Sequence, residues 1–405
     1  MVHQASTDSP VRESLIAVAS FLVIFAFSTV DSAVSPLVQV LNEYFQVGEA
    51  RTLYLVTACT TGTVLGILIG PALTAAYRID MLLNLAMAGL VAGLALFLVS
   101  KDFVFALATR AVFGISSGLF ASCMWWVTFY GVSALGREKM ITVLMSARPL
   151  ATALGVPLIG MAAETWDWKT SLWGCFFVLV VSGLWLLVES RGLHNSSLES
   201  FSPSKVFRDY LIALREPRAS QYYLGFTLNR MCYFGFYVMA GIWFRRHFGT
   251  SLVEVSQALL LIGVAEAGIN FVVPAIRRRI GHRLAFHGCL WASMVLFPAF
   301  VFGSMSYPVT LALIAVFMVL DRIYCMSLVI TLPDMFPTAP NRTVLGSLNT
   351  LTAWTALSTI SFLQGRFLET WGMPAMQSLL WVVLVVGSVM LIRVQNLTFS
   401  AEPAK

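Results

Sequence analysis

The 405-residue sequence is poor in charge: only 11% of its residues are Asp, Glu, Lys or Arg, while 58% are hydrophobic. Soluble domains contain about 25% charged and about 45–50% apolar residues. A soluble protein of this length has too little interior to bury so much apolar surface. We therefore expect the lipid bilayer to be the solvent for most of the chain.

Signatures of soluble enzymes are also missing. The sequence has no Gly-rich phosphate loop ending in Lys-Ser/Thr and no HExxH motif. Its six cysteines are far apart within apolar runs, a spacing that resembles neither a disulfide framework nor a metal site. We expect no enzyme activity, no cofactor and no metal, and without a Walker motif ATP is not the expected energy source.

Long apolar runs are what the sequence has in abundance. A helix of about 20 residues crosses a bilayer, and twelve runs are close to or above that length, near 15–40, 53–76, 81–99, 104–128, 141–163, 171–189, 222–244, 255–275, 284–303, 309–331, 344–364 and 375–394. The first run is too long for a signal-peptide core and lacks a cleavage site, so we expect it to stay as a span.

The basic residues between the runs predict the orientation. Most of them fall on the side of the two termini, which places both termini in the cytoplasm. Since these residues alternate with apolar runs, the net charge of +6 indicates membrane topology rather than nucleic-acid binding.

The two halves of the chain resemble each other. Glu164-Thr165-Trp166 recurs 205 residues later as Glu369-Thr370-Trp371, and the same offset carries Ser14, before the first run, onto Ala219, before the seventh. Such an offset is what duplication leaves. We predict an all-α membrane protein with twelve transmembrane helices in two pseudo-symmetric six-helix bundles that face each other. The N-terminal bundle is 1–189, the cytoplasmic central loop 190–220 and the C-terminal bundle 221–405.

Charged residues interrupt several runs, and each costs about 2.5–3.5 kcal/mol at the centre of a span. They are Asp31, Arg110, Arg148, Arg230, Glu266, Asp321 and Arg322. One explanation is that the acids and bases pair with each other; the other is that they mark an ion or substrate path. Asp31 lies past the middle of its run, where a carboxylate can bind and release a proton, and we predict it as the proton-coupling residue. Arg110 and Arg148 are the candidates to regulate it.

Other polar and aromatic residues extend the candidate cavity. Asn349 shares a helical face with Thr352 and Thr359. This face either lines a wet cavity or makes interhelical hydrogen bonds. Glu266 serves coupling, substrate attraction or a buried hydrogen bond. The predicted substrate-cavity residues are Arg148, Arg230, Tyr233, Glu266, Asn349, Asp321 and Arg322.

Two motifs carry a family resemblance. The fourth run reads ATRAVFG from Ala108 to Gly114 and continues to Gly118, and the fifth contains Gly155-x-Pro157-x-x-Gly160. Together with six plus six spans, these motifs resemble the major facilitator superfamily. The fifth-run motif is similar to its twelve-span drug:proton antiporters, particularly the arabinose-efflux-like and purine-efflux-like branch.

The resemblance implies specific roles for these residues. It implies that Arg110 tunes the protonation of Asp31 and that the two bundles work by alternating access. It also implies structural roles for the motif residues Gly114 and Gly118 of the fourth run. Gly155, Pro157 and Gly160 are then part of a tightly packed, bent fifth helix.

The sequence departs from the family pattern at two places. The loop between the second and third runs, GPALTAAYRIDMLL, has Met81-Leu82 where the family usually carries a basic pair. The fifth-run motif begins with Arg148-Pro149 rather than with small residues. We expect Arg148 to face either the cavity or the neighbourhood of Asp31, and to shift specificity toward anionic substrates.

These observations predict a secondary transporter that exports a small organic molecule, a drug-like compound or a metabolite, in a proton-coupled process. Its partners are then the substrate, protons and the lipid bilayer, and we expect a monomer in the cytoplasmic (inner) membrane. One alternative is a uniporter or importer of a metabolite or organic anion. Another is a transport-inactive membrane sensor or assembly factor, which the altered loop before the third run supports.

Overall fold

The structure, a computed structural model, describes residues 10–34, 37–47, 49–52, 54–191, 193, 208, 210–212, 214–215, 217–335 and 342–399. Within these ranges the regular structure is helical and no strand is present. The chain divides into two compact units, Met1–Arg208 and Asp209–Lys405. This division falls inside the predicted central loop, 190–220, most of which lies outside the described residues.

The first unit contains the helices of the first six predicted spans. They are α1 (Pro10–Ala33), α2 (Val38–Phe45), α3 (Glu49–Thr52), α4 (Tyr54–Ala76), α5 (Ile79–Val99), α6 (Phe103–Trp126), α7 (Ala134–Leu150), α8 (Val156–Thr165) and α9 (Trp168–Glu189). The first span ends at Ala33, about two turns before the predicted end at residue 40, and α2 follows as a separate helix. The intervening segment contains Pro36 in the sequence, and a proline cannot donate the backbone hydrogen bond that would continue the helix.

The second unit has fewer and longer helices. They are α10 (Pro217–Phe248), α11 (Leu252–Ile280), α12 (His282–Phe302), α13 (Tyr307–Met335) and α14 (Arg342–Phe399). Helix α10 begins inside the predicted central loop, with a proline at its start, where the missing N–H needs no partner. Helix α14 covers the last two predicted spans, which are separated at Gly372, where φ is +76° and glycine is favoured.

Polar side chains define several helix starts. Asp102 accepts a hydrogen bond from the Phe105 N–H at 2.8 Å at the start of α6, and Ser133 accepts one from the Gly136 N–H at 3.1 Å at the start of α7. At α11 the Ser251 N–H and hydroxyl donate to the Glu254 carboxylate, which lowers the pKa of that carboxyl. Such caps satisfy donors that the first turn leaves open.

The fifth predicted span is interrupted by a π-helical turn. A π-helical turn, Ala151–Gly155, joins α7 to α8, and Pro149 lies just before it, inside α7. Pro157 lies just after it, at the beginning of α8. Because both prolines lack a backbone donor, the regular i to i−4 bonding is interrupted on both sides of the turn.

Helices occur at all twelve predicted runs, but the runs differ in polarity. Nine of the described helices are long and apolar enough to cross a membrane. The predicted runs 222–244 and 344–364 are not among these nine, and 255–275 lies within the 29-residue helix α11, of which 257–273 is apolar. The runs 222–244 and 344–364 contain Arg230 and Asn349, respectively. Other predicted cavity residues, Arg148, Asp321 and Arg322, lie in spans among the nine.

Each unit uses the same set of helix pairings. In the first unit α1 packs on α7 and α9, while α6 packs on α4 and α5. In the second unit α10 packs along α14, while α13 packs on α11 and α12. The breaks before the sixth and twelfth spans, at Asp167 and Gly372, lie 205 residues apart. The matching pairings are what a duplicated six-helix unit produces.

Candidate functional site

In the first unit, Asp31 lies near the end of α1 and is contacted by arginines from two other helices. Arg110 of α6 donates from Nη2 to Asp31 Oδ1 at 3.3 Å, and Arg148 of α7 donates from Nη2 to Oδ2 at 3.5 Å. Asp31 and Arg110 are buried, whereas 29% of the Arg148 side chain is exposed. The three side chains, which we call the Asp31 cluster, comprise one carboxylate and two guanidinium groups.

Aromatic and thiol groups enclose the buried part of the Asp31 cluster. The Arg110 guanidinium lies 5.5 Å from the ring centroids of both Phe97 and Phe113, within the range of cation–π attraction. Cys59 of α4 is also buried next to Asp31. Four helices therefore fix the position of this carboxylate.

Some buried polar atoms near Asp31 have no hydrogen-bond partner among the described residues. They include Arg110 Nε and Nη1 and the Ser28 hydroxyl. Ser28 precedes Asp31 by one turn, so the two residues share a face of α1. Buried donors without acceptors are rare in proteins, and each needs an explanation such as strain, a functional role, or a bound water or ion.

In the second unit, Arg230 of α10 and Asp321 of α13 form a fully buried ion pair. Arg230 Nη1 donates to Asp321 Oδ2 at 3.0 Å, and Nη2 donates to Oδ1. Nη2 also donates to Asn229 Oδ1 at 3.1 Å and contacts the Tyr324 hydroxyl. Such bidentate, additionally hydrogen-bonded geometry is what a buried charge pair requires.

Tyr233, a predicted cavity residue, belongs to the surroundings of this pair. The Arg230 guanidinium lies 4.5 Å from its ring centroid, and the Phe317 ring stacks on it at 4.4 Å. The Tyr233 hydroxyl donates to Ser293 Oγ at 3.1 Å. With only 2% of its surface exposed, Tyr233 packs inside the unit.

A second carboxylate is linked to the same network. Arg322 contacts Asp321 at 3.5 Å and donates from Nε to Glu266 Oε1 at 3.3 Å. The Tyr237 hydroxyl donates to Glu266 Oε2 at 2.8 Å. Charges of alternating sign therefore run from Arg230 to Glu266, and Arg322, with 17% of its side chain exposed, is the more accessible arginine.

The two ion pairs occupy corresponding helices of the two units. Asp31 and Arg110 lie on the first and fourth spans, and Arg230 and Asp321 lie on the seventh and tenth, with acid and base exchanged. The 205-residue offset carries Asp31 to position 236, and Arg230 lies six residues before it. The same offset carries Arg110 to position 315, and Asp321 lies six residues after it. Six residues span about 9 Å of helix. In its own unit, the second pair is displaced by that distance toward the end where α10 begins.

Asn349 forms its hydrogen bonds with uncharged residues. Its Oδ1 accepts a hydrogen bond from the Tyr222 hydroxyl at 3.4 Å, and its backbone carbonyl accepts one from Thr352 at 2.8 Å. Its face of α14 takes part in interhelical hydrogen bonding with α10, one of the two roles that the sequence left open.

The motif glycines differ in how tightly they pack. A Cβ atom at Gly114 would lie 2.0 Å from the Cys59 carbonyl oxygen, and one at Gly118 would lie 2.3 Å from that of Thr63. At Gly155 the obstacle is the Thr29 side chain, at 2.1 Å. Those three positions permit close helix contact. Gly160 has no atom within 4 Å of its Cβ position, so tight packing was wrongly inferred there.

Two buried asparagines were not predicted. Asn229 accepts from Arg230 and Tyr324 and donates from Nδ2 to Ser388 Oγ at 3.1 Å. Asn270 lies one turn after Glu266 on α11 and is 1% exposed, yet neither side-chain polar atom has a partner among the described residues. Both could have been identified from the sequence, because each is an amide close to a charge within an apolar run. Asn229 is adjacent to Arg230, and Asn270 lies one turn after Glu266.

We predict that Asn270→Leu lowers transport while leaving stability unchanged or raising it. The substitution removes two unpartnered polar atoms, whose burial costs about 1–3 kcal/mol. Thermal unfolding in detergent and transport in proteoliposomes measure the two effects. Gln364→Leu is the control, because Gln364 Nε2 donates to the Gly235 carbonyl at 2.8 Å and its loss lowers stability. Full transport by Asn270→Leu would contradict a ligand contact at this position.

Comparisons with known proteins agree with this architecture. The model of the Major Facilitator Superfamily matches residues 17–361, which is most of the chain. The structure of the human organic anion transporter MFSD10 (TETRAN) is similar, with a TM-score of 0.72 and 19% identity, over 95% of this chain and 100% of that chain. At that identity the likeness concerns the fold alone. No curated protein sequence matches the chain.

The family match spans both units and confirms the predicted fold class. It also confirms that the chain is not an enzyme, since the members of this family are transporters. The multi-pass membrane topology inferred from the apolar runs agrees with the nine apolar helices among the described residues. This chain belongs to the major facilitator superfamily of membrane transporters.

Proposed function

We propose that this chain is a proton-coupled secondary transporter of a small organic molecule, working by alternating access with Asp31 as the proton acceptor. One observation carries the proposal: a buried carboxylate on the first span is contacted by arginines of two other helices. An intramembrane carboxylate is costly unless it is paired or functional. Here its charge state depends on partners from helices α6 and α7, so a movement of either helix changes its affinity for a proton.

The burial of the charged residues separates their proposed roles. Arg110 is the regulator of Asp31, and Arg148 is a substrate-cavity residue because part of its side chain is exposed. Glu266 and Arg322 form a second cavity group, with Arg322 as the accessible member. The fully buried Arg230–Asp321 pair has a structural role.

The direction of transport depends on the sign of coupling. Efflux in exchange for protons is the proposal that the antiporter-type motif Gly155-x-Pro157-x-x-Gly160 supports. Uptake of an organic anion is the second candidate, and the specific observation in its favour is the excess of guanidinium groups over carboxylates at Asp31. The similar fold of a human organic anion transporter is consistent with it.

We further propose that the protein acts as a monomer in the cytoplasmic membrane, with both termini in the cytoplasm. The support is the distribution of basic residues on the side of the termini, above all Arg277-Arg278-Arg279 in the last turn of α11 and Arg283 in the first turn of α12. Accessibility of cysteines introduced in these loops to an impermeant thiol reagent tests the orientation.

Asp31→Asn tests the proton assignment. In proteoliposomes with trapped pyranine and an imposed pH gradient, we expect at least about a tenfold loss of gradient-driven accumulation, equivalent to about 1.4 kcal/mol. The probes are benzenesulfonate and benzyltrimethylammonium, whose charges do not change with pH. Asp102→Asn is the control, because it makes the same chemical change at an exposed helix cap, where Asn also functions. Wild-type accumulation in a folded Asp31→Asn protein would refute the assignment.

A further inference from the structure

We propose that the Asp31 cluster binds a small organic anion and a proton together, so that the anion is the substrate and travels with the proton. This inference rests on the proposed protonation of Asp31. It adds the substrate class and selects the second candidate, cotransport of an anion with the proton, over exchange.

The charges of the cluster are the first argument. Arg110 and Arg148 contribute two positive charges against the single negative charge of Asp31. Protonation of the carboxyl would leave both guanidinium groups without their shared counter-charge in a low-dielectric environment, which is costly. A bound anion restores the balance, whereas a bound cation would add to the excess.

The open donors are the second argument. Arg110 is 1% exposed, and its Nε and Nη1 atoms have no acceptor among the described residues. The hydroxyl of Ser28, one turn before Asp31, is also buried without a partner. Guanidinium and hydroxyl donors in this arrangement suit the oxygens of a carboxylate, sulfonate or phosphonate. Nε and Nη1 of Arg110 are thus available to a ligand, while Nη2 donates to Asp31.

Access is the third argument. Arg148 is 29% exposed, and its contact with Asp31, at 3.5 Å, is longer than that of Arg110. Arg148 is therefore the member of the Asp31 cluster that a ligand can reach. An anion that pairs with Arg148 draws it from Asp31 at little cost, because a contact of this length is at the limit of hydrogen bonding.

The sign of the coupling follows from these contacts. The charged and titratable groups that the described structure places on Asp31 are Arg110 of α6, Arg148 of α7 and the Cys59 thiol of α4. An anion that withdraws Arg148 leaves Asp31 with one positive neighbour instead of two, which favours its protonation. By linkage, protonation strengthens anion binding to the same extent. A cationic substrate would instead compete with the proton, which is the requirement for exchange.

Ligands of fixed charge test this inference directly. Benzenesulfonate, benzenesulfonamide and benzyltrimethylammonium share a phenyl ring and differ in charge, and the first and last keep their charge between pH 5.5 and 7.5. We therefore attribute any pH dependence of sulfonate binding to the protein. The dissociation constants are measured with purified full-length protein in detergent at both pH values.

We expect benzenesulfonate to bind at least about ten times more tightly at pH 5.5 than at pH 7.5, because one proton enters with the anion. In Asp31→Asn, which carries no charge at this position, the affinity stays at the tight value at both pH values. Arg148→Gln weakens sulfonate binding at least about tenfold, whereas Arg366→Gln, the same change on α14, leaves it unaltered. If Arg148→Gln does not fold, the pH dependence of the wild-type protein and of Asp31→Asn still tests the proposal.

Other outcomes overturn the inference in distinguishable ways. Binding of benzyltrimethylammonium that weakens at low pH would reject the anion and leave proton coupling at Asp31 intact. Sulfonate binding without pH dependence would reject co-binding, and a loss of gradient-driven accumulation in Asp31→Asn would then leave the proton assignment standing. Absence of sulfonate binding at both pH values would reject the anion site.

Discussion

Asp321→Asn is expected to destabilise the protein by about 3–5 kcal/mol, the loss typical of removing one member of a buried ion pair. The substitution keeps the shape of the side chain and removes its charge. Arg230, which is 2% exposed, then loses a bidentate partner, and Arg322 loses its contact at 3.5 Å. The cost arises from uncompensated positive charge inside the second unit.

The measurement is the free energy of unfolding by SDS titration in mixed micelles. Asp80→Asn is the matched control, because it removes the same charge from an ion pair of 2.6 Å in which both side chains are partly exposed. Such surface pairs contribute about 0–1 kcal/mol. Equal losses in the two variants would contradict the structural role assigned to the Arg230–Asp321 pair.

A double variant separates the two possible sources of the loss. In Arg230→Met/Asp321→Leu no charge of the pair remains, and buried pairs replaced by apolar residues of similar volume are often neutral in stability. We expect most of the stability to return, while Arg322 keeps its contact with Glu266. Continued instability would assign the loss to the hydrogen bonds of Asn229 and Tyr324 rather than to charge.

The sequence predicted the helices well because bilayer thickness limits their length and lipid limits their polarity. The ends were harder to predict where the backbone changes without a change in hydropathy. The π-helical turn Val127–Gly131 extends the fourth span within an apolar sequence, and α10 begins at the polar segment near Arg218, which hydropathy assigns to the loop. Apolar periodicity predicts neither the π-helical turn nor the start of α10, because both depend on local backbone conformation.

The sequence predicted Asp31 together with Arg110 and Arg148, but it did not predict the pairing of charges in the second unit. Each intramembrane charge stands out because its burial is costly, so Asp31, Arg110 and Arg148 were identifiable individually. Which acid meets which base depends on helix rotation and depth. The pair of Arg230 with Asp321 shows this, since the bidentate partner of Asp321 is on α10, 91 residues away in sequence. Small differences in depth are not visible in composition. One example is the six-residue displacement of Arg230 and Asp321 from the positions to which the 205-residue offset carries the first pair.

The exchanged polarity of the two pairs bears on how the duplicated units diverged. Corresponding helices carry acid then base in the first unit and base then acid in the second. In the second unit the pair is buried, bidentate and surrounded by hydrogen bonds, while in the first it is longer and shares its carboxylate with a partly exposed arginine. We infer that the Arg230–Asp321 pair stabilises the fold, whereas the pair of Asp31 with Arg110 serves proton binding. Substitutions at Asp321 and Asp31 are therefore expected to differ in outcome.

Gly114→Ala is the second variant with a large expected effect. Helices α4 and α6 approach each other through glycines, and a Cβ at Gly114 would lie 2.0 Å from the Cys59 carbonyl oxygen and 2.8 Å from its carbonyl carbon. These are backbone atoms of a facing helix, so the clash cannot be relieved by a side-chain rotation. The helices must separate, which disturbs the neighbouring thiol contact between Cys59 and Asp31 as well.

We expect Gly114→Ala to cost about 3 kcal/mol, the upper part of the range for overpacking, and to lower the unfolding temperature accordingly. Gly160→Ala is the matched control, because it adds the same methyl group to a helix where no atom lies within 4 Å. There the gain in helix propensity, up to about 1 kcal/mol, is unopposed, so stability is retained or increased. If both variants unfolded at the wild-type temperature, the close contact of α4 with α6 would not be a determinant of stability. A loss at Gly114 alone would tie the fourth-span glycines to the packing that holds Arg110 against Asp31.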